Sequence, residues 1–268
     1  MEKTMNYAMM VIGLALGTVA MLPEFAILGV FDFTSTVCQA GAATLIIMAL
    51  VRQMNIWKAE NNMPTGFVAT ACICAAMCIV TIFFDLFGIL YWVGFIAGIV
   101  AIVLSCKAFN VQMNEATAGA ITLATATTAA LYEINNDDAI LVNIAAIVAY
   151  VFIMKGVKAM NNTALNKLKL AAIFGIVASA LYLIKIAVII AWIPYLVFAV
   201  MVMVAYLGFK NAAPGANLLM VAGILLLVEE VIDFIPVVDI FVCPALLIAV
   251  LALNITGWYK VIGNMAKA

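Results

Sequence analysis

From Leu170 to Gly208 the chain carries a single charged residue, Lys185. At about 1.5 Å of rise per residue, one helix over this run would be nearly twice the ~30 Å hydrocarbon core of a bilayer. The run is therefore read as two apolar helices joined at a tight turn near Lys185. A pair of such helices, back to back and almost free of charge, has no soluble solution. The rest of the chain repeats the pattern: 69% of residues are apolar and 9% charged, where a soluble domain is about half apolar and a quarter charged. Lipid must act as solvent for most of the surface, because a single core cannot hide nearly the whole chain.

Segments long and apolar enough to cross a bilayer fall near 5–22, 34–51, 64–84, 89–106, 116–134, 138–156, 168–186, 189–208, 215–232 and 239–259. The expected fold is an all-α integral membrane protein of about ten transmembrane helices. The first segment, behind Lys3, has the outline of a signal peptide. With Met1 in place it is read as the first membrane helix. Alternating the spans puts Lys3, Arg52, Lys58, Lys107, Lys155, Lys158, Lys167, Lys169, Lys210, Lys260 and Lys267 on one side. Lys185 alone falls on the other, together with Glu24, Asp32, Asp85, Glu133, Asp137, Asp138, Glu229, Glu230, Asp233 and Asp239. Basic loops stay cytoplasmic, so both termini are expected inside. The same alternation assigns Trp57 and Trp258 to one interfacial belt, and Trp92 and Trp192 to the other. Short loops and the lack of targeting tails suggest a prokaryotic inner membrane.

A period near fifty residues runs through the chain. Its strongest marks are Arg52-Gln53-Met54-Asn55, Lys107-Ala108-Phe109-Asn110, Lys158-Ala159-Met160-Asn161 and Gly208-Phe209-Lys210-Asn211, with a weaker Val261-Ile262-Gly263-Asn264. Leu131-Tyr132 recurs as Leu181-Tyr182, and Trp92 as Trp192. The whole of 1–268 is thus expected to be one polytopic membrane domain of five tandem, parallel-oriented helical hairpins, approximately 1–57, 58–112, 113–162, 163–212 and 213–268. Pro64 and Pro214 each open a repeat. Pro23, Pro194 and Pro236 are assigned to outer turns. No loop is long enough for a soluble domain.

Superposing the repeats puts Glu24, Asp85, Asn135, Lys185 and Asp233 at equivalent places near the outer end of each first helix. If the hairpins close on themselves, these residues form a polar layer of one cation among carboxylates. An ionisable group at such depth is costly unless paired or wet. The plainer alternative, favoured by the residue types, is acids on exposed turns and a Lys185 that snorkels to headgroups. Val228-Glu229-Glu230-Val231-Ile232-Asp233 is the densest charge cluster beside an apolar run. Glu229 and Asp233 share a helix face; together with Glu230 they read either as a cation site or as a helix end dissolved in water. Thr122, Thr125, Thr127 and Thr128 lie among Gly119, Ala120, Ala124 and Ala126, so this helix is expected at the centre of the bundle, with its hydroxyls bonded across or back onto backbone. Asn143 faces the same choice.

Negative features narrow the function. With no histidine, no nucleophile beside a base and no phosphate loop, catalysis is not expected. A net charge of −1 argues against nucleic acid as a partner, which needs a basic stripe. Cys72, Cys74 and Cys78 share one span and Cys38, Cys106 and Cys243 are scattered; all are read as small packing residues. No cofactor or metal is expected. Two functional classes remain: a channel or carrier for a cation or small polar solute with an acidic outer vestibule, or a non-catalytic assembly subunit of a larger membrane complex. Both admit a homo-oligomer or complex partners besides the lipid bilayer.

Overall fold

A computed structural model describes residues 1–22, 33–84, 88–111, 113–133, 140–184, 188–233 and 235–267. The described residues form ten helices: α1 (Glu2–Ala20), α2 (Phe33–Ala59), α3 (Thr65–Phe83), α4 (Gly88–Phe109), α5 (Glu115–Glu133), α6 (Ile140–Met160), α7 (Asn166–Leu183), α8 (Val188–Phe209), α9 (Ala216–Ile232) and α10 (Pro236–Met265). Seven of them, α2, α3, α4, α6, α7, α8 and α10, are long and apolar enough to cross a membrane. Their outward faces carry large apolar side chains: Phe83, Val103 and Ile89 are 74%, 70% and 69% exposed. Exposed hydrocarbon on that scale belongs against lipid.

The other three helices differ: α9 is apolar but has only 17 residues, while α1 and α5 carry polar groups. All of α1 is buried except Glu2, Lys3 and Met5. A helix covered on every side meets protein and not lipid, so it can hold Thr4, Asn6 and Thr18. In α5 the load is threonine.

The chain divides into two compact units, Met1–Met113 and Asn114–Ala268. In the first, α1 packs on α2, α3 and α4, and α3 joins α2 to α4. In the second, α5 to α10 pack in sequence order and α10 returns to α5, closing a six-helix circuit. Closure therefore occurs over four helices and over six. The interior of the six-helix unit holds Tyr132, Tyr150, Phe198, Tyr206 and Trp258, all fully buried.

Lipid tails are as apolar as leucine, so helices in a bilayer associate through close packing of small residues. Gly119 of α5 and Gly156 of α6 show this directly. A Cβ on Gly119 would sit 2.9 Å from the Gly156 carbonyl oxygen and 2.8 Å from Met160 N, while one on Gly156 would sit 2.9 Å from the Gly119 carbonyl oxygen. The two backbones touch, and only hydrogen fits between them.

Two asparagines of the repeated strings prove to be helix stops. Asn110 and Asn161 follow α4 and α6 with φ of 40° and 49°. The left-handed conformation ends a helix, and asparagine tolerates it better than other non-glycine residues. Asn161 N–H donates to the Val157 carbonyl at 3.2 Å. The first repeat differs: α2 runs past Asn55 and stops at Asn61 (φ 53°), whose neighbour Asn62 donates back to Trp57 O at 3.1 Å. That is a Schellman closure. Asn264 lies inside α10.

One proline assignment changes: Pro194 lies within α8 and not in a turn. Pro236 opens α10, where its missing donor costs nothing. Pro23 is outside the described residues.

Candidate functional site

Of the residues singled out from the sequence, Glu24, Asp85, Asn135 and Lys185 lie outside the described residues. Glu229, Glu230 and Asp233 are described, and they separate. Helix α9 is built from leucine, valine, alanine and isoleucine and starts at Gly215, whose φ of 97° suits glycine alone. Its last turn carries the two glutamates. Neighbouring residues on a helix point about 100° apart, so one packed face could not bury both. Helices α8 and α10 flank α9 on two sides, and Glu229 and Glu230 are each 4% exposed. Asp233, one turn on, is exposed and its N–H closes the helix on Glu229 O at 3.0 Å. A helix end dissolved in water thus describes Asp233 and not the two glutamates. The Cys243 thiol of α10 donates to the Glu229 backbone carbonyl at 3.7 Å, which holds α10 against this turn.

A second polar group was not singled out as a unit by the sequence. Asn254 of α10 is fully buried. Its side-chain amide donates to Thr128 Oγ1 of α5 at 3.2 Å, and its oxygen accepts from Tyr206 Oη of α8 at 2.9 Å. Trp258 Nε1 donates to the same tyrosine oxygen at 3.3 Å. Three helices of the six-helix unit are tied through one amide. The available signal was an asparagine in the middle of an apolar span, since an amide has more hydrogen-bonding sites than its own helix can satisfy.

The four-helix unit has a parallel. Asn6 of α1 donates to Gln53 Oε1 of α2 at 3.1 Å, and both are buried. The span expected at 34–51 ended just short of Gln53, whereas α2 continues past it. Tyr7 Oη lies 3.2 Å from Cys106 Sγ, and Lys3 pairs with Glu60 at the surface.

The threonines of α5 settle mostly on their own helix. Thr122, Thr125, Thr127 and Thr128 each donate to the carbonyl four residues back, at 2.6 to 2.9 Å. Thr128 also accepts from Asn254 of α10. Asn143 is buried on α6.

Two tryptophans leave the belt assigned to them. Trp57 is buried among Phe67, Phe109 and their edge-on rings at 5.9 and 5.2 Å, and its indole N–H donates to Ala108 O at 3.2 Å. Trp258 stacks on Phe209 at 6.1 Å. Both are core residues at the lysine-bearing end of their units. Trp92, at 47% exposed, does face outward.

Among the described residues, no three His, Cys, Asp or Glu side chains come together as metal ligands. The chain matches no protein-family model, and neither the curated proteins nor the solved structures include one significantly similar to it.

Proposed function

We propose that this multipass membrane protein is a carrier or channel for a small cation, and that Glu229 and Glu230 are its ion-binding carboxylates. The observation behind this is the burial of two adjacent carboxyl groups at the end of an otherwise apolar helix. A carboxylate inside a membrane protein is costly, and it marks an ion or proton pathway more often than a packing solution. Asp233 on the exposed turn beyond them would gather cations at the mouth. In this reading no catalysis is involved.

The architecture proposed with it is five tandem parallel hairpins in a prokaryotic inner membrane, both termini cytoplasmic. Support comes from the unit boundary at Met113, which falls at the junction of the second and third repeats, and from asparagine stops at 110 and 161. Single cysteines at Asn136 and Asn162 test the orientation on intact cells with an impermeant reagent. Labelling at 136 alone supports it; labelling at 162 alone overturns it.

The functional test is flux of Na⁺, K⁺ and H⁺ into liposomes holding the purified protein. Glu229→Gln and Glu230→Gln should each cut flux at least about tenfold, the equivalent of ~1.4 kcal/mol of lost ion stabilisation. Equal flux in parent and variants refutes the assignment. Gentle extraction from the native membrane discriminates the alternative: a particle with fixed stoichiometric partners favours an assembly subunit.

A further inference from the structure

The four-helix unit holds a cluster of buried sulfur that the carrier reading does not use. Cys74 and Cys78 are one turn apart on α3, hence on one face, and both are fully buried. They point at glycines on two other helices. A Cβ on Gly17 of α1 would lie 3.2 Å from Cys78 Sγ and 3.7 Å from Cys74 Sγ; one on Gly98 of α4 would lie 3.3 Å from Cys74 Sγ. The space over Gly98 is bordered on its other side by the Thr18 hydroxyl. Met21, one turn beyond Gly17 on the same face of the chain, is fully buried and accepts a bond from Thr81 Oγ1 at 3.5 Å on its sulfur.

Thr18 adds an independent sign. The buried threonines Thr81, Thr127 and Thr128 donate to the carbonyl four residues back. Thr18 Oγ1 is buried with no hydrogen-bond partner among the described residues. A hydroxyl left so costs about 1–3 kcal/mol, and it sits beside Cys74, where an anionic sulfur would accept its hydrogen.

We propose that Cys74 and Cys78 bind a soft monovalent metal ion, Cu(I), with Thr18 hydrogen-bonded to a thiolate and Met21 as a thioether one turn away. Thiolate and thioether sulfur select Cu(I) over hard cations. A structural zinc site wants four ligands, and no third Cys, Asp or Glu joins the pair among the described residues. Binding forms one copper–sulfur bond to each cysteine and breaks both S–H bonds: Cu(I) enters, two protons leave, and no electron moves. The Thr18 hydroxyl would donate to the sulfur that carries the remaining negative charge. The cluster belongs to the Met1–Met113 unit, so it stands or falls apart from the carboxylates of α9.

The test uses the reduced full chain in detergent, without oxygen, titrated with Cu(I) against a chromogenic Cu(I) chelator. One ion per chain should be retained. Cys74→Ser and Cys78→Ser should each weaken binding at least about a hundredfold, and Thr18→Val by about tenfold, in the range of losing a supporting group. Cys72→Ser, on the exposed face of the same helix, should leave binding unchanged. X-ray absorption of the copper-loaded parent should show two or three sulfur neighbours, a reading independent of how the variants fold. No retained copper, copper lost with Cys72→Ser, or fewer than two sulfur neighbours would each overturn the proposal.

Discussion

Removing the side chain of Asn254 should uncouple three helices at one stroke. In Asn254→Ala the bond to Thr128 and the bond from Tyr206 both disappear. Interhelical hydrogen bonds in membrane proteins average about 0.6 kcal/mol, with a maximum near 1.7, so two are worth about 1.2 kcal/mol before any group is orphaned. Thr128 is not orphaned, because its hydroxyl still donates to Ala124 O at 2.8 Å. Tyr206 is: its oxygen keeps the Trp258 donor, but its hydrogen loses its acceptor. A buried donor without a partner costs about 1–3 kcal/mol, which overlaps with the lost bond and brings the expected total to about 2 kcal/mol. Thr128→Val loses the bond from Asn254 and the back-bond to Ala124 O and should cost about 1 kcal/mol. Tyr206→Phe should cost as much as Asn254→Ala, and the double variant should cost less than the sum by about 0.6–1.7 kcal/mol, the shared bond. The assay is reversible unfolding in mixed micelles of rising SDS fraction. The reasoning fails if Asn254→Ala costs less than Thr128→Val, or if the Asn254–Tyr206 cycle shows no coupling.

Three further outcomes follow from the packing. Gly119→Ala and Gly156→Ala should each destabilise by about 1–3 kcal/mol through overpacking, since the new methyl meets backbone at 2.8–2.9 Å; Gly66→Ala, with open space around it, should be neutral or stabilising in the same unfolding assay. Asn161→Ala should cost about 1 kcal/mol in that assay and Asn161→Gly nothing, because the φ of 49° is strained for alanine and free for glycine; equal effects would deny the stop its left-handed geometry. In single-tryptophan variants, brominated lipid should quench Trp92 strongly and leave Trp57 and Trp258 nearly untouched, and strong quenching of Trp57 would restore it to the lipid interface.

Which parts of this fold a sequence can disclose depends on what lipid does to the usual signal. In water, a helix shows its core face by a 3.6-residue alternation of apolar and polar side chains. In lipid both faces are apolar, so length, charge and punctuation survive and the inward face does not. Spans such as Gly88–Phe109 were therefore legible, as were the lysines at their ends. The asparagine period was legible too, though its meaning was a left-handed stop at Asn110 and Asn161 and not a binding motif. Trp57 shows what was lost. A tryptophan near a helix end looks the same whether it lies among headgroups or against Phe67 and Phe109. The helix end also moved: α2 continues to Ala59, past Gln53, the buried partner of Asn6. The Glu229-Glu230 pair was visible as a charge cluster, but its burial came from α8 and α10 on either side, and no local pattern encodes that.

What each polar side chain needs explains why so few sit inside. A threonine can meet its need within its own helix, as Thr122, Thr125 and Thr127 do, so it constrains no neighbour. An amide has two donor hydrogens and a carbonyl, more than one turn of helix offers. Asn254 and Gln53 are consequently found where helices meet, and each fixes a pairing: α10 to α5 and α8, α2 to α1. A carboxylate asks most, because its charge has no counterpart in a helix interior and its desolvation exceeds what packing returns. Asn254 accounts for itself by joining helices. Glu229 and Glu230 are a second matter: they are buried where α9 meets α8 and α10, and it is this burial on which the proposed ion binding rests.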